Sequence, residues 1–361
     1  MKKEIIIVKV GTQTMLHENG LLDLPQLNKL MNQIIALENQ GYKVILVSSG
    51  AVAAGKSLQM DLSVCTDPVQ ERQVLASLGQ AMLMQQYNTL LKFYGYTAAQ
   101  VLLTKMDFVS LTHRQNIYRA LHGLLKLPTC LPIINENDTT AIEELMFTDN
   151  DELTALLAIL IKAKYMVILT GVDGVYERHP SDKEAKIIHK LSVDEKLNIE
   201  HFLLKSESGR GGMSSKISAC QHAAAHGIKT FIANARTTDI LMRLITQQEP
   251  QLGTQIIADI HDEGAENKIT LEYGVEPAII LDKELIESLN SNGQYANIFP
   301  CKITNIEGVF ESGDIVAIKN NEGKKIGIGV AEYSKAELIN KIAKKDENYF
   351  IAFNKIVLFK H

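Results

Sequence analysis

The chain has 361 residues, of which 46% are hydrophobic and 22% charged, with a formal net charge of −5. That length predicts two domains, and that charge offers no general attraction to nucleic acid or to an anionic membrane surface. No apolar run approaches the ~18 residues needed to span a bilayer, and the start MKKEIIIVKVGT lacks the apolar stretch and cleavage site of a signal peptide, so a cytoplasmic setting is expected.

In chain order, EIIIVKVGT reads as a buried strand ending in glycine. Residues 25–40 place Leu27, Leu30, Met31, Ile34 and Leu37 at helical spacing before a stop at Gly41. KVILVSSG is a strand running into a loop, 69–94 a helical region, and TAAQVLLT a strand. A helix over 114–126 leads into CLPIINEND, a strand with a polar end. DNDELTALLAILIKA is helical, and YMVILTGVDGVY is a strand into a loop. A strand at 229–233 and a helix ending near Gln248 follow. This alternation predicts an α/β fold, an open, mostly parallel sheet sandwiched by helices, with ligands at the carboxyl ends of its strands.

The stretch QQEPQLGTQIIADIHDEGAEN loses periodicity, and a linker is placed there. The expected domains are 1–255, a linker at 256–267, and 268–361. The last is a small β-rich module with strands in CKITNI, ESGDIVAIKN, KKIGIGVAEY and YFIAFNKIVLF and one helix near 282–289.

Cys65, Cys130, Cys220 and Cys301 have no paired spacing, which speaks against disulfides or a zinc knuckle. His222 and His226 lie four apart on an expected helix; without further ligands they read as a plain helix face.

Three strand ends and two helix starts carry polar or glycine-rich clusters. Lys9 lies inside an apolar strand before Gly11, so its ammonium must reach solvent or a ligand phosphate. Ser49 and Gly50 follow the second strand, and Gly50–Ser57 matches the P-loop pattern G-x-x-x-x-G-K-[ST]. The interior AVAA favours a helix start that binds a substrate carboxylate instead. In NEND, Asn135 and Asp138 end a buried strand, as a polar turn or as contacts for substrate polar groups and an ammonium. In TDND, Thr148 and Asp151 suit a capping box; Asn150 could also bond substrate and Asp151 hold lysine ammoniums. In ESGRGGMSSK, glycines precede a helix beginning near Ser214, as a phosphate cradle or a plain loop. Lys216 falls in its first turn, against the helix dipole. Lysines on glycine-marked elements, without a Ser-His or Cys-His pair, point to phosphoryl transfer. A carboxylate acceptor is already ionised at pH 7 and needs no general base.

In this order, KVGT, SSGAVAAGK, INEND, DND and GRGGMSSK resemble the amino acid kinase family from Lys9 to about Gly253, and the tail is similar to a PUA module. The resemblance implies ATP and Mg2+, and transfer to the side-chain carboxylate of L-glutamate, giving L-glutamate 5-phosphate, the first step of proline biosynthesis. By position, it implies Lys9 and Lys216 as catalytic, organised by Asp151. Ser49, Gly50, Asn135, Asp138 and Asn150 would bind substrate. Lys9, Thr170, Gly171 and the run Arg210, Gly211, Gly212, Met213, Ser214, Ser215 and Lys216 would contact nucleotide. It further implies feedback inhibition by proline and a homo-oligomer, dimer or tetramer. Two positions depart from the pattern: Gly171 follows Thr170 where aspartate is usual, with Asp173 as a substitute carboxylate, and Arg210 replaces a small hydroxyl residue. Another enzyme of the family, an acetylglutamate kinase or aspartokinase, is the near alternative, and an RNA-binding PUA protein with a degenerate kinase domain the more distant one. PUA-like modules elsewhere bind RNA, but residues 268–361 hold 12 lysines, no arginine and 13 acidic residues, so a structural or regulatory role is expected.

Overall fold

The structure is a computed structural model and describes residues 3–17, 20–108, 111–140, 150–178, 182, 184–195, 212–257, 277–286, 297–308, 310, 312–344, 348–352 and 355–358. The chain divides into two compact units, Met1–Thr104 with Asn116–His261, and Lys105–Gln115 with Asp262–His361.

The first unit opens with β1 (Ile5–Val10), a short α1 (Thr12–Met15), α2 (Leu24–Asn39), β2 (Lys43–Ser48), α3 (Ala51–Lys56), α4 (Pro68–Lys92) and β3 (Thr97–Leu103). Both long helices start as their sequences direct: Asp23 accepts from the Gln26 amide and Asp67 from the Gln70 amide, each with proline in the first turn. Then come α5 (Leu111–Lys126, of which 116–126 belong to this unit), β4 (Cys130–Glu136), α6 (Asn150–Ile161), β5 (Tyr165–Thr170), β6 (Val175–Tyr176), β7 (Ile187–Ile188), β8 (Lys190–Ser192), α7 (Met213–Ala225), β9 (Lys229–Asn234), α8 (Ile240–Ile245) and β10 (Gly253–Ile257).

Among the described residues, eight strands form one sheet in the order β3-β4-β2-β1-β5-β9-β10-β8, parallel except where β10 meets β9. β10 corrects the expected linker: residues 253–257 pair with β9 and β8, so the sheet continues past residue 255. β1, β2 and β4 are buried at every position, as strands covered on both faces must be.

Ile6, Val8 and Val10 of β1 join the cluster built with α2, α4 and α8. Side chains alternate along a strand, so Ile5, Ile7 and Lys9 face the other side. There α6 packs on β1 and α7 on β9. The chain leaves β1 for β2 on one side and returns to β5 on the other, which makes the carboxyl end of β1 a topological switch point.

The second unit contains β11 (Ala278–Leu281), β12 (Ile303–Glu307), β13 (Ile315–Lys319), β14 (Lys325–Val330), α9 (Lys335–Lys344) and β15 (Ile356–Leu358). Its sheet runs β12-β11-β13-β14-β15, antiparallel except for β11 against β13. Phe310, Phe350, Val316, Ile318 and Leu338 belong to its own core. The expected helix is described at 283–286, where the Asp282 carboxylate accepts from the Leu285 amide; 287–289 lie outside the described residues. α9 is a second helix where one was expected.

Candidate active site

Lys9 reaches the carboxyl end of β1 on the face that α6 and α7 cover. Asp151 stands in the first turn of α6 and Lys216 in the first turn of α7. The three meet: Lys9 Nζ lies 2.6 Å from Asp151 Oδ1 and Lys216 Nζ 2.9 Å from Asp151 Oδ2. The Asp151 side chain is fully buried, while Lys9 and Lys216 keep 5% and 13% of theirs exposed. Burial acts to raise the Asp151 carboxyl, but the charges and hydrogen bonds of Lys9 and Lys216 outweigh it and hold it below the usual carboxylate value. An ammonium carries three donors, so each lysine can hold Asp151 and still donate to a phosphate.

Next to this triad, the neutral residues form a second chain. Asn150 Nδ2 donates to Ser49 Oγ and to Asn135 Oδ1, both at 2.8 Å. The Glu136 amide also donates to Asn135 Oδ1, at 2.9 Å. That backbone donor fixes which end of the Asn135 amide is oxygen, so its Nδ2 turns to Gln80 Oε1 at 2.9 Å, and Gln80 Nε2 to Gln100 Oε1 at 3.0 Å. The same polarity leaves the buried Asn150 Oδ1 without a protein partner among the described residues. A buried acceptor left open is one a ligand can complete. Asn135 uses both ends of its amide on protein, which makes it a holder of Asn150.

Gly50 adopts φ +102° before α3, a conformation that favours glycine, and the Ser49 amide bonds the Val10 carbonyl at 3.2 Å. The Gly50–Ser57 segment forms helix α3, which sits against α4. A Cβ at Gly55 would lie 2.1 Å from the Leu75 carbonyl oxygen, and one at Gly79 1.8 Å from that of Ala51. A helix packed this closely on its neighbour is not an open P-loop cradle. Asp138, just beyond β4, accepts from Arg72 of α4 at 2.6 Å.

At the neighbouring strand ends, Thr170 closes β5, where its carbonyl accepts from the Ala235 amide at 2.9 Å, and Gly171 is exposed with open space around it. Asp173 accepts from Asn234 Nδ2 at 2.8 Å and from the Tyr176 hydroxyl at 3.3 Å. Gly212 caps α7, and its carbonyl accepts from Ser215 Oγ at 3.0 Å; Met213 and Ser214 open the helix. Arg210, Gly211 and Thr148 lie outside the described residues. His222 and His226 are ring neighbours on α7, with centroids 5.4 Å apart; burial, then His226, push His222 down to about 4 and keep it neutral at pH 7.

Sequence reasoning missed Gln80, Gln100 and Arg72. The signal for Gln80 was Gly79 beside it, since a glycine inside a long helix marks a close approach.

Comparison with known proteins covers both units. Residues 4–234 match the amino acid kinase family and 277–349 the PUA domain. The chain is 39% identical over 329 residues to the glutamate 5-kinase of Chlorobaculum tepidum, covering 90% of this chain and 89% of that one. It is 36% identical over 340 residues to the glutamate 5-kinase of Bacteroides thetaiotaomicron, covering 93% and 94%. In fold it is similar to an isopentenyl phosphate kinase in its substrate complex, at 14% identity and a TM-score of 0.50, covering 70% of this chain and 99% of that one. Two lysines on one buried carboxylate sit at the switch point of a sheet whose strands β1 to β5 and β9 all lie inside the match, and the chain therefore belongs to the amino acid kinase family, with a PUA domain behind the kinase fold.

Proposed function

We propose that this chain is a glutamate 5-kinase, transferring the γ-phosphoryl of ATP to the side-chain carboxylate of L-glutamate in the first step of proline biosynthesis. The observation that carries the reading is the convergence of Lys9 and Lys216 on Asp151, beside an amide chain suited to an amino acid. Relatives of that name match over most of the chain.

In the reaction a γ-carboxylate oxygen attacks the γ-phosphorus, the bond to the β-phosphate oxygen breaks, and ADP leaves. The acceptor is ionised at pH 7, so no proton need be removed. Lys9 and Lys216 neutralise charge on the transferring phosphoryl, and Asp151 holds both ammoniums in place. Ser49, Gly50, Asn150 and Asp138 bind glutamate, with Asp138 on its ammonium and Asn135 orienting Asn150. Thr170, Gly171 and the α7 start with residues 210–216 contact nucleotide, with Asp173 next to them.

Magnesium would arrive on the phosphates of ATP. Among the described residues there is no group of three His, Cys, Asp or Glu side chains that could hold a metal ion, and both Asp151 oxygens face ammoniums. The described residues therefore do not fit a resident metal, and their own share of the work falls to lysines, amides and carboxylates. Feedback inhibition by proline, a dimer or tetramer, a cytoplasmic setting, and a PUA-like module with a structural or regulatory role complete the proposal. No helix among the described residues is long and apolar enough to cross a membrane.

The test is ADP release with glutamate, N-acetylglutamate and aspartate, each with and without proline. Glutamate-dependent release that proline suppresses is expected. Turnover of N-acetylglutamate or aspartate, but not of glutamate, would reject the assignment.

A further inference from the structure

We propose that Arg72 is a specificity-determining residue, binding the α-carboxylate of the amino-acid substrate while Asp138 binds the α-ammonium. The inference rests on the glutamate reading and deepens it. Arg72 lies near the start of α4, two turns before Gln80, and one of its terminal nitrogens donates to Asp138 Oδ1 at 2.6 Å. The Asp138 side chain is 10% exposed and that of Arg72 29%, so the ion pair borders solvent on its arginine side.

A guanidinium holds five N–H donors in a planar fork. The bond to Asp138 uses one of them, and the buried Arg72 Nε finds no protein partner among the described residues. Leaving a buried charged donor unsatisfied is unfavourable, and a carboxylate entering beside Asp138 would complete the fork. An α-amino acid carries its cation and anion on adjacent atoms. Its complement is an anion and a cation side by side, which is what Asp138 and Arg72 present.

Position fits as well. Asp138 follows β4 three residues after Asn135, which holds Asn150, the neighbour of Asp151. The amino-acid head would thus lie at the Arg72 end of the amide chain and the reacting carboxylate at the lysine end. A salt bridge serving only stability would add little at a partly exposed position.

The decisive substrate pair is L-glutamate and its α-amide, which keeps the ammonium and the γ-carboxylate but lacks the α-carboxylate charge. ADP release is measured with wild type, Arg72→Gln and Arg72→Lys. In Arg72→Gln, KM for glutamate is expected to rise about 30-fold, the effect of one lost charge-assisted bond, while KM for the α-amide shifts less than about threefold. The lysine variant should fall between, because it keeps the charge without the fork; it also serves if the glutamine variant fails to fold. An equal rise for both substrates would reduce Arg72 to a support for Asp138 and overturn the proposal, as would an unchanged KM for glutamate. A wild-type enzyme inactive on glutamate would sink the functional reading, and this one with it.

Discussion

Where Lys9, Asp151 and Lys216 meet, the site is a chain of full charges in contact; one residue away, from Asn150 to Gln100, it is a chain of neutral amides. The charged end is suited to receiving a ligand that carries several negative charges, because its ammoniums have donors to spare. The amide end is suited to selecting one shape, because a single backbone N–H, that of Glu136, sets the direction of every bond along it. The two ends join at consecutive residues, Asn150 and Asp151, at the start of α6. The charged and the neutral ends are therefore held in register by one helix turn.

The comparison breaks most visibly at the charged end. Lys216→Ala should lower turnover about 10³-fold, the loss expected for one transition-state donor, with the fold intact because Lys9 still pairs with Asp151; normal turnover would remove Lys216 from the reaction. Asp151→Asn leaves two largely buried ammoniums without their anion, and it should destabilise the fold by about 3 kcal/mol in denaturant titration.

The acid dependence of that variant sharpens the point. The folded carboxyl of Asp151 titrates below its unfolded value. Its stabilisation is therefore complete above about pH 4, the unfolded carboxylate range, and is lost as pH falls through the folded pKa. The stability gap between wild type and Asp151→Asn should hold at neutral pH and narrow in acid. A gap that stays constant down to pH 2 would contradict the ion-pair assignment.

Smaller effects are expected from the amide side. Gly79→Ala puts a Cβ on the Ala51 carbonyl; overpacking of this kind costs about 2 kcal/mol, and by displacing α3, with Ser49 and Gly50 before it, should also raise KM for glutamate. Gln80→Leu removes the partner that orients Asn135. It should raise KM for glutamate about fivefold, the worth of one neutral hydrogen bond, and leave kcat in place. A fall in kcat with KM unmoved would mean that the amide chain serves the reaction itself and that the two ends are not separate.

Much of the first unit is legible in the sequence because strands buried on both faces read as unbroken apolar runs, and their functional ends are marked by glycine or polar clusters. Lys9, Ser49, Asn135, Asn150, Asp151 and Lys216 all stand at such marks. β10 was not read as a strand, and its last two residues were given to the linker, because GTQII is a short run in a polar stretch; its place comes from pairing with β8 and β9. α9 was missed although Leu338 and Ile342 stand four apart and both pack on the core of the second unit; the helix is short and sits among strand-like runs, which drew the reading of that stretch toward strands and turns.

What the residues by themselves determined is the list of groups and their order: two lysines, a carboxylate, a set of amides, each beside a strand end or a helix start. Which of them touch was decided by the fold. Arg72 reaches Asp138 across 66 positions of sequence, Gln80 reaches Asn135 across 55, and Lys216 reaches Asp151 across 65. Local pattern reports backbone conformation and burial over a turn or two. Contacts at that separation exist only once parallel strands, joined by helices, have brought their carboxyl ends together.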